Sequence, residues 1–131
     1  MYLRFTTVYT NEWNEESTGV FQALGYLIRN EEVFEFDREN LNNIRNWFNT
    51  NLERPDRFNK HSNKNKQNIA ISWFKDTSKI HLKKMYELVS IFENYSLKIE
   101  IIKTENPGYK VYEDKYQIVT IPHGKDKHKV I

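Results

Sequence analysis

The sequence predicts an α+β fold, a mixed sheet of about five strands with three helices packed mainly on one face. Two patterns support this class. Apolar residues alternate with polar ones in five short segments, as in half-buried strands, and recur every three or four positions in three longer segments, as in amphipathic helices. The predicted order is β-α-α-β-α-β-β-β. The 131 residues, 15% of them aromatic, are enough for one core, so we expect a single domain over residues 1–122.

The first predicted strand covers residues 2–9, where polar and apolar side chains alternate. A helix follows, because apolar residues recur at helical spacing between Val20 and Ile28. Ser17 or Thr18 is expected to cap this helix, since a hydroxyl oxygen can accept a hydrogen bond from a free amide of the first turn.

The second helix is predicted from its start signals. Asp37 can accept hydrogen bonds from first-turn amides, and the spacing of Phe36 and Leu41 fits a hydrophobic staple, an apolar contact that fixes the chain at the helix start. We therefore expect Phe36 to pack against Leu41. The helix should end before Pro55, because the residue that precedes a proline is disfavoured in helical conformation.

The remaining elements alternate between strand and helix before a final hairpin. Residues 69–74 form the second predicted strand, residues 97–101 the third, and 109–112 and 115–121 a hairpin that turns at Glu113 and Asp114. Between the second and third strands lies the longest helix, with a continuous apolar stripe made of Leu82, Met85, Leu88, Val89, Phe92 and Tyr95.

Two polar stretches interrupt this pattern. Residues 54–68 contain no apolar periodicity and are predicted to form a long basic loop within the domain, and residues 123–131 to form a flexible polar tail. Neither flank of the loop has enough apolar residues for a core of its own, so we do not interpret the loop as a linker between domains.

Five short segments are distinctive: Thr18–Ala23, Ala70–Lys75, Pro107–Gly108, Val111–Asp114 and Gln117–Val119. They resemble segments of small bacterial and phage proteins of unknown function. The resemblance implies a bacterial or phage source and one α+β domain. It implies no activity and no site residues.

Composition and motifs exclude several classes of function. The chain has no Cys, so it has no disulfide, thiolate metal site or Cys nucleophile. It lacks a signal peptide pattern and any apolar run approaching a membrane helix, so we expect a cytoplasmic protein without membrane contact. The four His residues do not have metal-ligand spacing, and no nucleotide-binding or hydrolase motif occurs. We expect no cofactor and no metal.

Charge is divided unevenly along the chain, although the formal total is only +2. Residues 1–53 contain four Arg and nine Asp or Glu, a net of −5, whereas residues 54–84 contain nine Lys or Arg and two Asp, a net of +7. Residues 85–131 balance, with seven charges of each sign. Such asymmetry bears on binding partners rather than on the fold.

The basic segment is the first candidate site, for nucleic acid or for an acidic protein partner. Clustered cations bind phosphate backbones by displacing counterions, and an interleaved aromatic ring can stack on an unpaired base. A solvated loop in a Lys-rich protein would have the same composition. The candidate residues are Arg54, Arg57, Phe58, Lys60, Lys64, Lys66, Lys79 and Lys83.

A second candidate lies in the turn 73–79, between the second predicted strand and the third helix. Lys75, Thr77 and Ser78 could bind a small anion there, because free amides, hydroxyls and a cation meet at a helix N-terminus. The Gly-rich turn of phosphate sites is missing, and helix capping also explains the hydroxyl residues. This turn is the only site predicted for a small-molecule enzyme.

Two further surfaces could contact a protein. The aromatic residues Trp13, Trp47, Tyr109, Tyr112 and Tyr116 exceed what one small core requires, and at least one face of the last hairpin should carry an exposed Tyr. The acidic residues that precede the first two helices stabilise helix N-termini or, alternatively, bind a basic partner. They are Glu12, Glu15, Glu16, Glu31, Glu32, Glu35 and Asp37.

Together these observations favour a small binding protein of inhibitor, immunity or regulatory type, without catalysis of its own, that acts on a macromolecular partner. A nucleic-acid-binding module centred on residues 54–84 is the first alternative, and a small-molecule enzyme at the turn 73–79 is the second. Charge complementarity between copies leaves a homodimer open.

Overall fold

The computed structural model describes residues 1–54 and 70–123, and the described chain forms seven strands and three helices. Most of the predicted loop and all but the first residue of the predicted tail lie outside these ranges. The elements are β1 (Tyr2–Thr6), β2 (Val8–Thr10), β3 (Glu16–Thr18), α1 (Val20–Arg29), α2 (Glu35–Asn51), β4 (Ile71–Lys75), α3 (Lys79–Glu93), β5 (Glu100–Thr104), β6 (Tyr109–Glu113) and β7 (Gln117–Ile121).

The α+β class, the five-stranded sheet and the three helices are confirmed. The sheet has the strand order β5-β1-β4-β7-β6, and β2 and β3 form a separate two-stranded sheet. The ladders β1–β4, β4–β7 and β6–β7 are antiparallel. Antiparallel neighbours can be joined by tight turns, as in the predicted hairpin, which is formed by β6 and β7.

The chain divides into two units. Among the described residues, the first comprises 1–4, 52–54, 70–82 and 102–123. In this unit, Ile71 and Trp73 of β4 pack with Ile118 of β7 in a buried cluster. Partly buried Tyr2 and Ile102 extend this cluster.

The second unit comprises residues 5–51 and 83–101 and contains α1, α2, the β2–β3 hairpin and most of α3. The predicted helix stripes are buried here: Leu24 and Leu27 of α1, Leu41 and Phe48 of α2, and Phe92 of α3 lie in the core. Burial of each such side chain contributes roughly 1.5–3 kcal/mol, which explains why these helices form in a chain of low mean hydropathy.

The local start signals of the first two helices were predicted wrongly. Ser17 and Thr18 belong to β3, and α1 is preceded by Gly19, which makes no side-chain capping hydrogen bond. Helix α2 begins at Glu35, two residues before the predicted cap Asp37. Phe36 is exposed rather than packed on Leu41, so there is no hydrophobic staple.

The strand boundaries also differ. The single strand predicted over residues 2–9 is divided between β1 and β2, and the strand predicted at 97–101 is observed three residues later, as β5. Residues 8–18 form a short hairpin because Val8 pairs with Thr18 and Thr10 with Glu16. Strands of three residues are too short for an alternation to be recognised.

Gly108→Ala is expected to destabilise the protein. Residue 108 has a φ of +124°, and a Cβ atom there would overlap the backbone carbonyl oxygen of Ile121. We expect a loss of about 1–3 kcal/mol in the free energy of unfolding, measured with urea. Gly25→Ala is the matched control, because Gly25 lies within α1, where Ala is favoured by roughly 0.5–1 kcal/mol. Equal stabilities of the two variants would contradict this account.

Candidate functional site

Three of the eight candidate residues of the basic segment lie in the described parts of the chain, and all three are exposed: Arg54, Lys79 and Lys83. None of them forms an ion pair within residues 1–54 and 70–123. The other five candidates lie outside the described residues: Arg57, Phe58, Lys60, Lys64 and Lys66. Binding of nucleic acid or of an acidic partner by this segment stays a prediction.

Two of the three candidate anion ligands at the turn between β4 and α3, Lys75 and Ser78, contact residues of the last hairpin. The Lys75 Nζ lies 2.7 Å from a Glu113 carboxylate oxygen, and the Ser78 hydroxyl donates a 2.7 Å hydrogen bond to the carbonyl of Tyr116. Ser78 is buried, whereas Thr77 is exposed. The hydroxyl of Ser78 therefore connects the residue before α3 to the residue before β7.

The three tyrosines of the last hairpin have different neighbours. The ring of exposed Tyr109 meets His123 edge to face at 4.4 Å between centroids, and Tyr116 lies 4.3 Å from the ring of buried His81. Tyr112 is half-buried and donates a 2.9 Å hydrogen bond to Asp114. Burial, together with this neighbouring carboxylate, raises the pKa of Tyr112 to about 12.

Asp114 connects the hairpin turn to β7. Its Oδ1 accepts hydrogen bonds from the amides of Tyr116 and Gln117, at 2.7 and 3.0 Å, and its Oδ2 accepts from Tyr112 and from the Gln117 side chain. Burial acts to raise the pKa of Asp114, but the hydrogen bonds from Tyr116, Tyr112 and Gln117 outweigh it and hold the pKa below its usual value. The predicted turn role of Asp114 is confirmed.

Gln117 holds the chain at the point where the basic segment begins. Its side chain is fully buried, accepts a 2.7 Å hydrogen bond from Ser72 and donates a 2.8 Å hydrogen bond to the carbonyl of Glu53. Because a buried amide that loses its partners is costly, this contact fixes the residue that precedes Arg54.

Of three exposed aromatic residues in the acidic part of the chain, sequence reasoning identified Trp13 as more than the core requires but missed Phe34 and Phe36. Trp13 is 69% exposed, and Phe34 and Phe36 are each 75% exposed. Residues 12–37 contain seven Asp or Glu and one Arg, a net charge of −6. We call this region the acidic aromatic surface, made of Glu12, Trp13, Glu31, Glu32, Phe34, Glu35 and Phe36.

The β2–β3 hairpin fixes the backbone at Trp13. The Asn11 Oδ1 accepts hydrogen bonds from the amides of Trp13 and Glu15, both at 3.0 Å, and the Asn11 amide donates to the Glu15 carbonyl at 2.9 Å. Asn14 has a φ of 60°, a left-handed conformation that Asn tolerates better than most residues. The side chain of Asn11 therefore stabilises the turn in which it lies.

The chain between α1 and α2 is held from both sides. The Asn30 Oδ1 accepts from the amide of Glu32 at 2.9 Å, and Arg38 donates to the carbonyls of Ile28 and Asn30 at 3.0 and 2.6 Å. Val33 is buried. These contacts satisfy the carbonyls at the end of α1, as helix C-termini require.

Tyr95 fixes the exposed Phe34. Its hydroxyl accepts a 3.1 Å hydrogen bond from the Phe34 amide and donates a 2.5 Å hydrogen bond to Asp37. Burial raises the pKa of Tyr95, and the hydrogen bond to Asp37 raises it further, so the donor proton is retained at neutral pH. No local sequence pattern could reveal the contact between Tyr95 and Asp37, because the two residues are 58 positions apart.

A cleft of about 650 Å³ opens beside these residues. Its lining combines three carboxylates, two aromatic rings and one guanidinium, from Glu12, Trp13, Tyr26, Arg29, Asn30, Glu31 and Glu32. Arg29 forms a 2.9 Å ion pair with Glu12. The arrangement can bind a cation between aromatic faces and carboxylates.

Comparison with protein-family models, curated proteins and solved structures gave no match. In the described parts of the chain, no helix is both long and apolar enough to cross a membrane. The same residues contain no group of three or more His, Asp or Glu side chains placed to hold a metal ion.

Tyr95→Phe tests how Phe34 is held. The substitution leaves the Phe34 amide and the Asp37 carboxylate without the hydroxyl, so we expect a loss of about 1–3 kcal/mol in unfolding free energy and faster hydrogen exchange at the Phe34 amide. Tyr86→Phe is the control, because Tyr86 is an exposed tyrosine of α3, the helix that ends just before Tyr95, and its ring contacts Phe5. Unchanged exchange at Phe34 in Tyr95→Phe would rule out the proposed support.

Asp114 should contribute to stability above acidic pH. Its pKa is lower in the folded protein, so its contribution is complete above the unfolded pKa of about 4 and is lost as the pH falls through the folded value. We expect the unfolding free energy to decrease between about pH 5 and pH 2 less steeply in Asp114→Asn than in the parent protein. Parallel pH profiles from urea titrations would contradict this assignment.

Proposed function

We propose that this protein acts by binding a macromolecular partner, as inhibitor, immunity or regulatory proteins of bacteria or phages do, and that it has no catalysis of its own. The partner is a protein with a basic surface, and it docks on the acidic aromatic surface. The observation that carries the proposal is the exposure of Trp13, Phe34 and Phe36.

Burial of the three exposed aromatic side chains against a partner would contribute favourably to the free energy of binding. Full burial of such a side chain contributes roughly 1.5–3 kcal/mol, and interface hot spots are enriched in Trp and other aromatic residues. Single exposed apolar residues are common on protein surfaces. Here, however, three exposed aromatic residues occur within 24 residues of sequence, and two of them, Phe34 and Phe36, are only two positions apart.

The residues are presented on a fixed backbone. Asn11 holds the turn that contains Trp13, and Tyr95 holds the amide of Phe34. A surface that is ordered before binding loses less conformational entropy on association, so more of the burial energy appears as affinity. This favours an interaction surface over a chance exposure of core residues.

The charge of the surface selects the kind of partner. Glu31, Glu32 and Glu35 are exposed around the aromatic residues, so a basic protein would be attracted and a nucleic-acid backbone repelled. Binding of nucleic acid is therefore proposed only as the alternative for residues 54–84, where the charge has the opposite sign.

The proposal can be tested with a photo-crosslinking amino acid placed at residue 34 in the full chain, in cells of its source organism. We expect a covalent adduct with a basic protein from position 34 and none from position 109, since Tyr109 is an exposed aromatic residue outside the acidic aromatic surface. Adducts only from position 109, adducts with nucleic acid, or adducts between two copies of this chain would each overturn the proposed partner class.

Binding of the crosslinked partner should depend on the aromatic side chains. Trp13→Ala, Phe34→Ala and Phe36→Ala remove exposed rings, so we expect little change in folding and, for at least one variant, a loss of about 30-fold or more in affinity measured by calorimetry. Tyr109→Ala is the matched control and should bind normally. Parent-like affinity in all three variants would contradict the proposal.

A further inference from the structure

The ion pair at the cleft suggests how the partner is recognised, an inference that rests on the proposed function. Arg29 provides the one guanidinium in the cleft lining, and its Nη2 lies 2.9 Å from the Glu12 Oε1. The Arg29 side chain is 56% exposed. Exposed ion pairs contribute only about 0–1 kcal/mol, so a competing cation can displace Arg29.

Gly25 gives the Arg29 side chain its position. A Cβ atom at residue 25 would lie 3.1 Å from the Arg29 Nη1, so the guanidinium lies close to the bare backbone of α1. A glycine inside a helix is destabilising by roughly 0.5–1 kcal/mol relative to alanine. The Arg29 Nη1 lies beside the space that a larger side chain at residue 25 would occupy.

The rest of the cleft matches a second arginine better than other ligands. Trp13 and Tyr26 provide aromatic faces on which a planar guanidinium can stack, and Glu31 and Glu32 add carboxylates that can accept from its N–H groups. An anionic group would meet three carboxylates, and an apolar group would leave them unpaired.

We propose that the cleft binds one arginine side chain of the partner protein and that Arg29 occupies part of this position in the free protein. On binding, the partner's guanidinium replaces Arg29 at the carboxylate of Glu12. Arg29 is then an internal competitor, and its removal should strengthen binding, whereas removal of Glu12 should weaken it.

The probe is a tetra-arginine peptide with blocked ends, titrated into the isotope-labelled full chain and followed by the NMR signal of the Trp13 indole N–H. We expect a saturable shift of this signal and none with a tetra-citrulline peptide, which has nearly the same shape without charge. The indole signal of buried Trp73 serves as an internal reference. Absence of a Trp13 shift would overturn the inference.

Substitutions then distinguish local exchange from long-range attraction. Arg29→Gln should lower the dissociation constant about two- to fivefold, and Glu12→Gln should raise it by a similar factor. Arg45→Gln is the matched control, because it removes the same charge from α2 without changing the cleft lining. The inference fails if Arg29→Gln weakens binding, or if Arg45→Gln strengthens it as much as Arg29→Gln does.

These outcomes are separable from those of the proposed function. A basic protein crosslinked from position 34, combined with no peptide effect at Trp13, would leave the docking surface intact and remove only the arginine cleft. Failure of the crosslink removes the surface itself.

Discussion

The acidic aromatic surface depends most on two hydrogen bonds made by the hydroxyl group of Tyr95. This hydroxyl accepts from the backbone of Phe34 and donates to Asp37, so one side chain just after α3 contacts both the last residue before α2 and the first turn of that helix. With this tie, Val33 is buried and Phe34 and Phe36 are directed to solvent.

Local periodicity was sufficient to predict the fold class. Met85, Leu88 and Phe92 of the α3 stripe and Ile71 and Trp73 of β4 are buried as predicted, because burial of a periodic face depends on spacing. Strand β7 does not alternate, since its first four residues are all buried. The helix starts were not predictable in this way. Phe36 and Leu41 have the spacing of a staple, but the structure buries Val33 and leaves Phe36 exposed. Asp37 accepts a hydrogen bond from Tyr95, which is far away in sequence.

The acidic aromatic surface was predicted only in part, because it also depends on contacts that local periodicity does not show. Its acidic residues are visible in the sequence as a net charge, and a role in stabilising helix N-termini explained many of them without a partner. Exposure of Trp13 follows from the hydrogen bonds of Asn11 in a hairpin too short to be recognised. The basic candidates between 57 and 66 lie outside the described residues, so their predicted role is unchanged.

The central claim is that the partner covers the acidic aromatic surface. Hydrogen–deuterium exchange of the protein alone and in its crosslink-identified complex tests this claim most directly, because it reports every amide without substitution. The account predicts protection at residues 12–16 and 31–36 in the complex. Protection confined to residues 70–84 or 109–117, with unchanged exchange at 12–16 and 31–36, would contradict it.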